Sequence, residues 1–124
     1  MLRQMLKSKI HRAIITDQEL NYQGSIACDP EWLRTADILP GEKVLVANLN
    51  NGARFETYAI AGKTGQIGLR GAAARLGQIG DRVILMAFGW MDDEEARCRK
   101  PAIIYMDEHN SPQKKGTSHA NLRV

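Results

Sequence analysis

The residues able to do chemistry in this chain are few and widely spaced: Lys9, His11, Tyr22, the Gly24-Ser25 pair, Arg54, Thr57 and Tyr58. A planar guanidinium such as that of Arg54 can hold a carboxylate through two parallel hydrogen bonds, and Lys9 adds a second positive charge. Tyrosine and histidine can carry protons. Taken singly, each has a bland reading: Gly24-Ser25 an ordinary turn, Thr57 a β-branched strand residue, Tyr58 barrel packing, Arg54 with Lys9 a solvated strand face. Other common chemistries lack their motifs, since there is no glycine loop ending in Lys-Ser/Thr, no dinucleotide fingerprint and no zinc-protease helix. His109 and His119 fall in a polar stretch and read as solvated side chains.

These residues lie on or beside predicted strands. In 1–15, Leu6, Ser8 and Ile10 alternate with Lys7, Lys9 and His11, the pattern of a long half-buried strand. A short strand follows at 25–29, where Asp29-Pro30 supplies an N-cap and a proline at the first helical position, predicting a helix from 30 to about 37. Strands at 43–49 and 54–61 flank Asn51-Gly52, a turn signal, and form a hairpin. Gly62, Gly65 and Gly68 punctuate a further turn and strand, and 71–76 forms one helical turn or two. Strands at 81–91 and 101–106 complete the set, joined by a charged connection at 92–99. Trp32 and Trp90 read as packing residues. The expected architecture is mainly β: one small closed barrel over 1–106 with short helices, and a flexible tail at 107–124.

Composition sets the limits. A chain of 124 residues suits one domain, and 44% hydrophobic with 25% charged residues is ordinary for a globular protein. The net charge of +3 is too mild to require nucleic acid or an anionic membrane as partner. Cys28 and Cys98 have no metal-ligand spacing and read as reduced thiols of a cytoplasmic protein. Charges interrupt 1–15, so that segment is expected to stay in the mature protein rather than act as a signal peptide.

Together the scattered residues resemble the pyruvoyl-dependent aspartate 1-decarboxylases. The resemblance runs from Leu2 to about Pro101, through Lys9-Ile10-His11-Arg12, Tyr22-Gln23-Gly24-Ser25, Asn51-Gly52-Ala53-Arg54-Phe55, Thr57-Tyr58-Ala59-Ile60, Gly71-Ala72-Ala73-Ala74 and Asp93-Glu94-Glu95-Ala96-Arg97. Each motif is short, but their order and intervals are specific. The resemblance implies a double-psi β-barrel, a homotetramer with active sites between neighbouring subunits, L-aspartate as substrate, no metal, and room for an accessory maturation factor. It also implies a proenzyme that cuts itself between Gly24 and Ser25 into 1–24 and 25–124.

In that scheme Ser25 Oγ attacks the Gly24 carbonyl and exchanges an amide for an ester. β-Elimination releases 1–24, and the dehydroalanine left at position 25 hydrolyses to a pyruvoyl group, the cofactor made from the chain itself. A strained turn at Gly24 would assist the attack, and Thr57 would stabilise the oxyanion. In the mature enzyme the ketone would form a Schiff base with aspartate and act as electron sink, giving β-alanine for pantothenate and coenzyme A biosynthesis. Arg54, Lys9, Thr57, Gly71, Ala72 and Ala73 would bind substrate, Tyr58 would donate the proton, and His11 and Tyr22 would support.

One position departs from the family pattern. Arg70 stands before Gly71 where the family usually has Asn. Pointing inward, its charge would strengthen carboxylate binding in the ground state without raising turnover; pointing to solvent, it would leave the site without an orienting amide. Two other readings remain beside the decarboxylase: self-processing with a related amino acid as substrate, and a non-enzymatic small basic β-barrel binding module.

Overall fold

A computed structural model describes residues 1–113 and 118–119. The first strand, β1 (Arg3–Ile14), is long because its inward residues Ser8, Ile10 and Ala13 are fully buried while charged neighbours stay at the surface. It pairs antiparallel with β7 (Arg82–Met91) and parallel with β8 (Ala102–Tyr105), so it lies between them. Two irregularities break the β1–β7 register, and at the second Arg12 takes a left-handed conformation with φ 69°. The chain then continues as β2 (Asp17–Glu19), a strand the sequence did not announce, which pairs parallel with β6 (Ile67–Arg70).

From β6 the hydrogen-bonded order runs through β3 (Ser25–Cys28), β5 (Arg54–Ala61) and β4 (Lys43–Asn48) back to β7 and β1. Because β2 is the continuation of β1, the two ends of this order meet through the chain itself. The result is the small β-barrel expected. Its interior holds Ile10, Ile15, Ile26, Val44, Val46, Ile67, Leu69, Val83, Leu85 and Ile104. Burial of each large aliphatic side chain contributes roughly 1.5–3 kcal/mol before the entropy cost is counted.

The helix α1 (Pro30–Thr35) begins as its sequence dictates: the Asp29 side chain accepts from Glu31 N and proline fills the first turn. It stops two residues short of 37, since Asp37 turns left-handed with φ 58° and lets Ile38 fold into the core beside Trp32 and Leu33. The β4–β5 hairpin forms as expected, with Gly52 at φ 78°. Buried Asn48 ties that turn to the barrel end, accepting from Asn50 N and donating to Leu76 O and Asp81.

Within the charged connection 92–99 a helix forms, α2 (Asp93–Cys98), capped by the Asp92 side chain accepting from Glu95 N. Two expectations need correction. Trp90 does not pack in the core; the alternation of β7 buries Val83, Leu85 and Ala87 and turns Phe88 and Trp90 outward, leaving Trp90 66% exposed. Nor does an unstructured tail start at 107. Residues 107–113 form a hydrogen-bonded turn in which the Asn110 side chain accepts from Ile14 N and donates to Ile14 O. Backbone at 118–119 adds β9 (Ser118–His119) beside β8, while 114–117 and 120–124 lie outside the described residues.

Candidate active site

Ser25 opens β3 and is 1% exposed, whereas Tyr22, Gln23 and Gly24 before it are exposed. The boundary between surface loop and buried strand thus falls on the Gly24–Ser25 peptide. Ser25 Oγ lies 3.5 Å from Gln23 O, at the limit of a hydrogen bond, so the hydroxyl is held close to its own preceding main chain. Gly24 does not take a positive φ, whereas Gly71 beside it does, at φ 63°. There a β-carbon would lie 2.7 Å from Tyr22 O and 2.8 Å from both N and Cα of Gly24, so only glycine lets this main chain close against the loop.

Strand pairing brings the remaining parts of this end together. Ser25 is the Cα partner of Arg70 in β6, and the parallel pairing of Ile26 with Ala59 places Thr57 and Tyr58 just before the stretch of β5 alongside β3. Thr57 is half-buried, and its hydroxyl makes no hydrogen bond to any described group. Tyr58, 38% exposed, faces the opposite side of β5. The 3₁₀ segment Gly71–Leu76 then runs off from Arg70 with Gly71 and Ala73 buried and Ala72 exposed.

The other candidates lie on β1, which does not pair with β3, or at the far end of β5. Arg54 shares the outer face of β5 with Tyr58 but stands four residues away, roughly 13 Å along a strand. It lines a cleft of about 580 Å³ with Gln4, Lys43, Glu56 and Phe88. Lys9 is half-buried on β1 between Met86 and Ile103. His11 packs edge-on against Tyr105, with ring centroids 5.7 Å apart, and its Nδ1 is buried without a hydrogen-bond partner among the described residues. Burial lowers the His11 pKa, and the charges of Lys9 and Arg12 lower it further, so the ring is held neutral.

Arg70 follows neither sequence alternative. Its guanidinium is largely covered, makes a 2.5 Å ion pair with Asp17 and lies 5.6 Å from the Tyr22 ring centre. Asp17 also accepts from Gln66 Nε2 and Thr16 Oγ1. Burial works against the Asp17 charge, but the hydrogen bonds from Arg70, Gln66 and Thr16 and the charge of Arg70 outweigh it, holding the carboxyl below its ordinary value. Sequence reasoning missed Asp17 and Gln66, because their partners lie about fifty residues away in sequence, and with them Thr16 beside Asp17. The cysteines are both free, Cys28 buried and Cys98 exposed; burial, and then the charge of Asp29, pushes the Cys28 thiol pKa far up and leaves it inert. Among the described residues no group of acidic, histidine or cysteine side chains is arranged to hold a metal.

Residues 1–113 match the profile of a protein family described as aspartate decarboxylase. An aspartate 1-decarboxylase of Thermoanaerobacter pseudethanolicus is 59% identical over 114 residues, covering 90% of this chain and 97% of the relative. That of Desulfitobacterium hafniense is 57% identical over 116 residues, covering 92% and 91%. That of Syntrophomonas wolfei is 52% identical over 118 residues, covering 94% and 100%.

Proposed function

The chain belongs to the aspartate decarboxylase family, and from that premise we propose a self-processing enzyme that converts L-aspartate to β-alanine and CO2 for pantothenate and coenzyme A biosynthesis. The observation that carries the processing half is the setting of Gly24-Ser25, a buried hydroxyl at a strand start directly after an exposed glycine. Ser25 Oγ adds to the Gly24 carbonyl carbon, the hydroxyl proton is transferred to the departing Ser25 nitrogen, and the C–N bond breaks to leave an ester and a free amine. Thr57, uncommitted at the neighbouring end of β5, is the donor for the oxyanion.

The residues present suit a pyruvoyl group at position 25. The strand start is buried and uncharged, and the missing side chain of Gly71 leaves the adjoining main chain close enough to shield it. When present, that group supplies the carbonyl that takes the substrate amine and the electron sink for loss of CO2. The chain's own side chains do the rest. Arg54 forks one carboxylate of aspartate and Lys9 neutralises the other. Tyr58 holds the proton that the substrate carbon receives after decarboxylation. His11, neutral and with a free buried nitrogen, orients polar groups without adding charge.

Within a single chain Arg54 and Lys9 sit on strand positions not paired with Ser25, and Phe88, which lines the Arg54 cleft, and Trp90 are exposed. Both features support pockets completed by a second copy, within a homotetramer. No helix of the described residues is long and apolar enough to cross a membrane, and a biosynthetic role of this kind belongs in the cytoplasm. The test of the activity is release of β-alanine from L-aspartate by the purified protein, abolished in Ser25→Ala. Release of another amine in preference, or unchanged turnover by Ser25→Ala, overturns the proposal.

A further inference from the structure

The loop between β2 and β3 carries the peptide to be cut, yet little outside the loop holds it. Among the described residues, the side-chain hydrogen bonds of 20–24 are local: Asn21 N donates to Glu19 and Ser25 Oγ to Gln23 O. Two groups reach it from elsewhere, the bare main chain of Gly71 and the guanidinium of Arg70 beside the Tyr22 ring. Arg70 is also the strand partner of Ser25, and its carbonyl oxygen would lie 4.0 Å from a β-carbon at Gly24. One residue thus borders both ends of the loop.

The Arg70 guanidinium is itself fixed by Asp17, which precedes the loop, and Asp17 is braced by Gln66 and Thr16. Room for the pair comes from Gly68: a β-carbon there would lie 2.7 and 2.9 Å from the Asp17 oxygens and 3.0 Å from Arg70 Nη1. The pair joins β2, before the cut, to β6, after it.

We infer that Asp17 and Arg70 form a clamp that positions the 20–24 loop for self-cleavage, so that Arg70 is a positioning residue rather than a substrate-binding cation. This rests on the processing reading above. An acyl shift needs Oγ aligned with the carbonyl carbon, and a loop with no side-chain hold between its two strand ends samples that alignment less often. Arginine, bridging a carboxylate on one side and an aromatic ring on the other, does what an asparagine at this position is too short to do.

The test follows the full-length chain, pulse-labelled in cell-free synthesis, as it converts to fragments in denaturing mass spectra. Asp17→Asn, Arg70→Asn and Gly68→Ala are each expected to slow cleavage roughly tenfold or more, the cost of a small misalignment. Gly68→Ala matters because its β-carbon crowds the ends of Asp17 and Arg70 and displaces the pair without changing either charge. The double variant Asp17→Asn/Arg70→Asn should cleave no more slowly than the slower single. Once cut, Asp17→Asn should keep the wild-type KM for aspartate, with a folded far-UV spectrum and a melting temperature lowered by loss of the ion pair. Single variants that cut at the wild-type rate, losses that multiply in the double, or a raised KM would each overturn the clamp while leaving self-processing standing. A wild-type chain that never cuts removes the processing reading, and the clamp with it.

Discussion

His11 and Tyr58 show how much a residue's setting adds to its type. His11 was legible as a candidate from its place beside Lys9, but its neutrality was not, because that depends first on burial, with Tyr105 packed against the ring, and then on the nearby charges of Lys9 and Arg12. With a folded-state pKa below the unfolded value of 6.5, the unfolded chain binds the proton first as pH falls. The stability involved is complete above pH 6.5 and is lost as pH drops through the folded value. Urea midpoints at pH 7.5 and 5.5 should therefore differ more for wild type than for His11→Gln. An equal difference would place the ring in a solvated setting. Tyr58 makes no hydrogen bond to a described group and is partly exposed, as suits a donor waiting for substrate. Tyr58→Phe should cut normally and turn over aspartate roughly 100-fold or more slowly, the range of a general acid, in steady-state assays of the cleaved protein. Arg70 is the residue that sequence reading could not place, since its two partners come from β2 and from the loop, and no local pattern announces either.

At the scale of elements, the strands were readable where alternation was strong, as in β1, β5 and β7, and where a turn signal stood between strands, as at Asn51-Gly52. Two short elements, β2 and α2, were not. β2 has three residues and no periodicity of its own, existing only because β6 offers it a parallel edge. For α2 a signal was present, Asp92 three residues before Glu95, the capping arrangement that the structure uses, but the run of charges masked it. The turn at 107–113 was misread as tail for a similar reason: its residues are polar, yet their polar groups bind main chain. Asn110 satisfies both the N–H and the C=O of Ile14. Asn110→Ala should lower stability by about 2 kcal/mol, the cost of part-buried peptide groups left unpaired, as read by urea denaturation. A loss within error would mean that the turn merely rests on β1.

For the whole molecule, the one-domain barrel followed from chain length and strand content, but the division of the site did not. On the proposed reading Ser25 becomes the cofactor and a neighbouring copy completes the pocket. Phe88 and Trp90, turned out of the core, are where that dependence should be visible. Phe88→Glu should shift the protein to smaller species in sedimentation velocity and reduce aspartate turnover in parallel; a variant that keeps its assembly state would remove this face from the interface. All of this depends on the bond between Gly24 and Ser25. Intact mass measurement of the denatured wild-type protein, beside Ser25→Ala, tests it most directly. The account predicts a fragment ending at Gly24 and a second, beginning at position 25, that reacts with a carbonyl reagent, while Ser25→Ala remains one chain. A wild-type protein found only as the uncut chain, under conditions where it turns over aspartate, would contradict it.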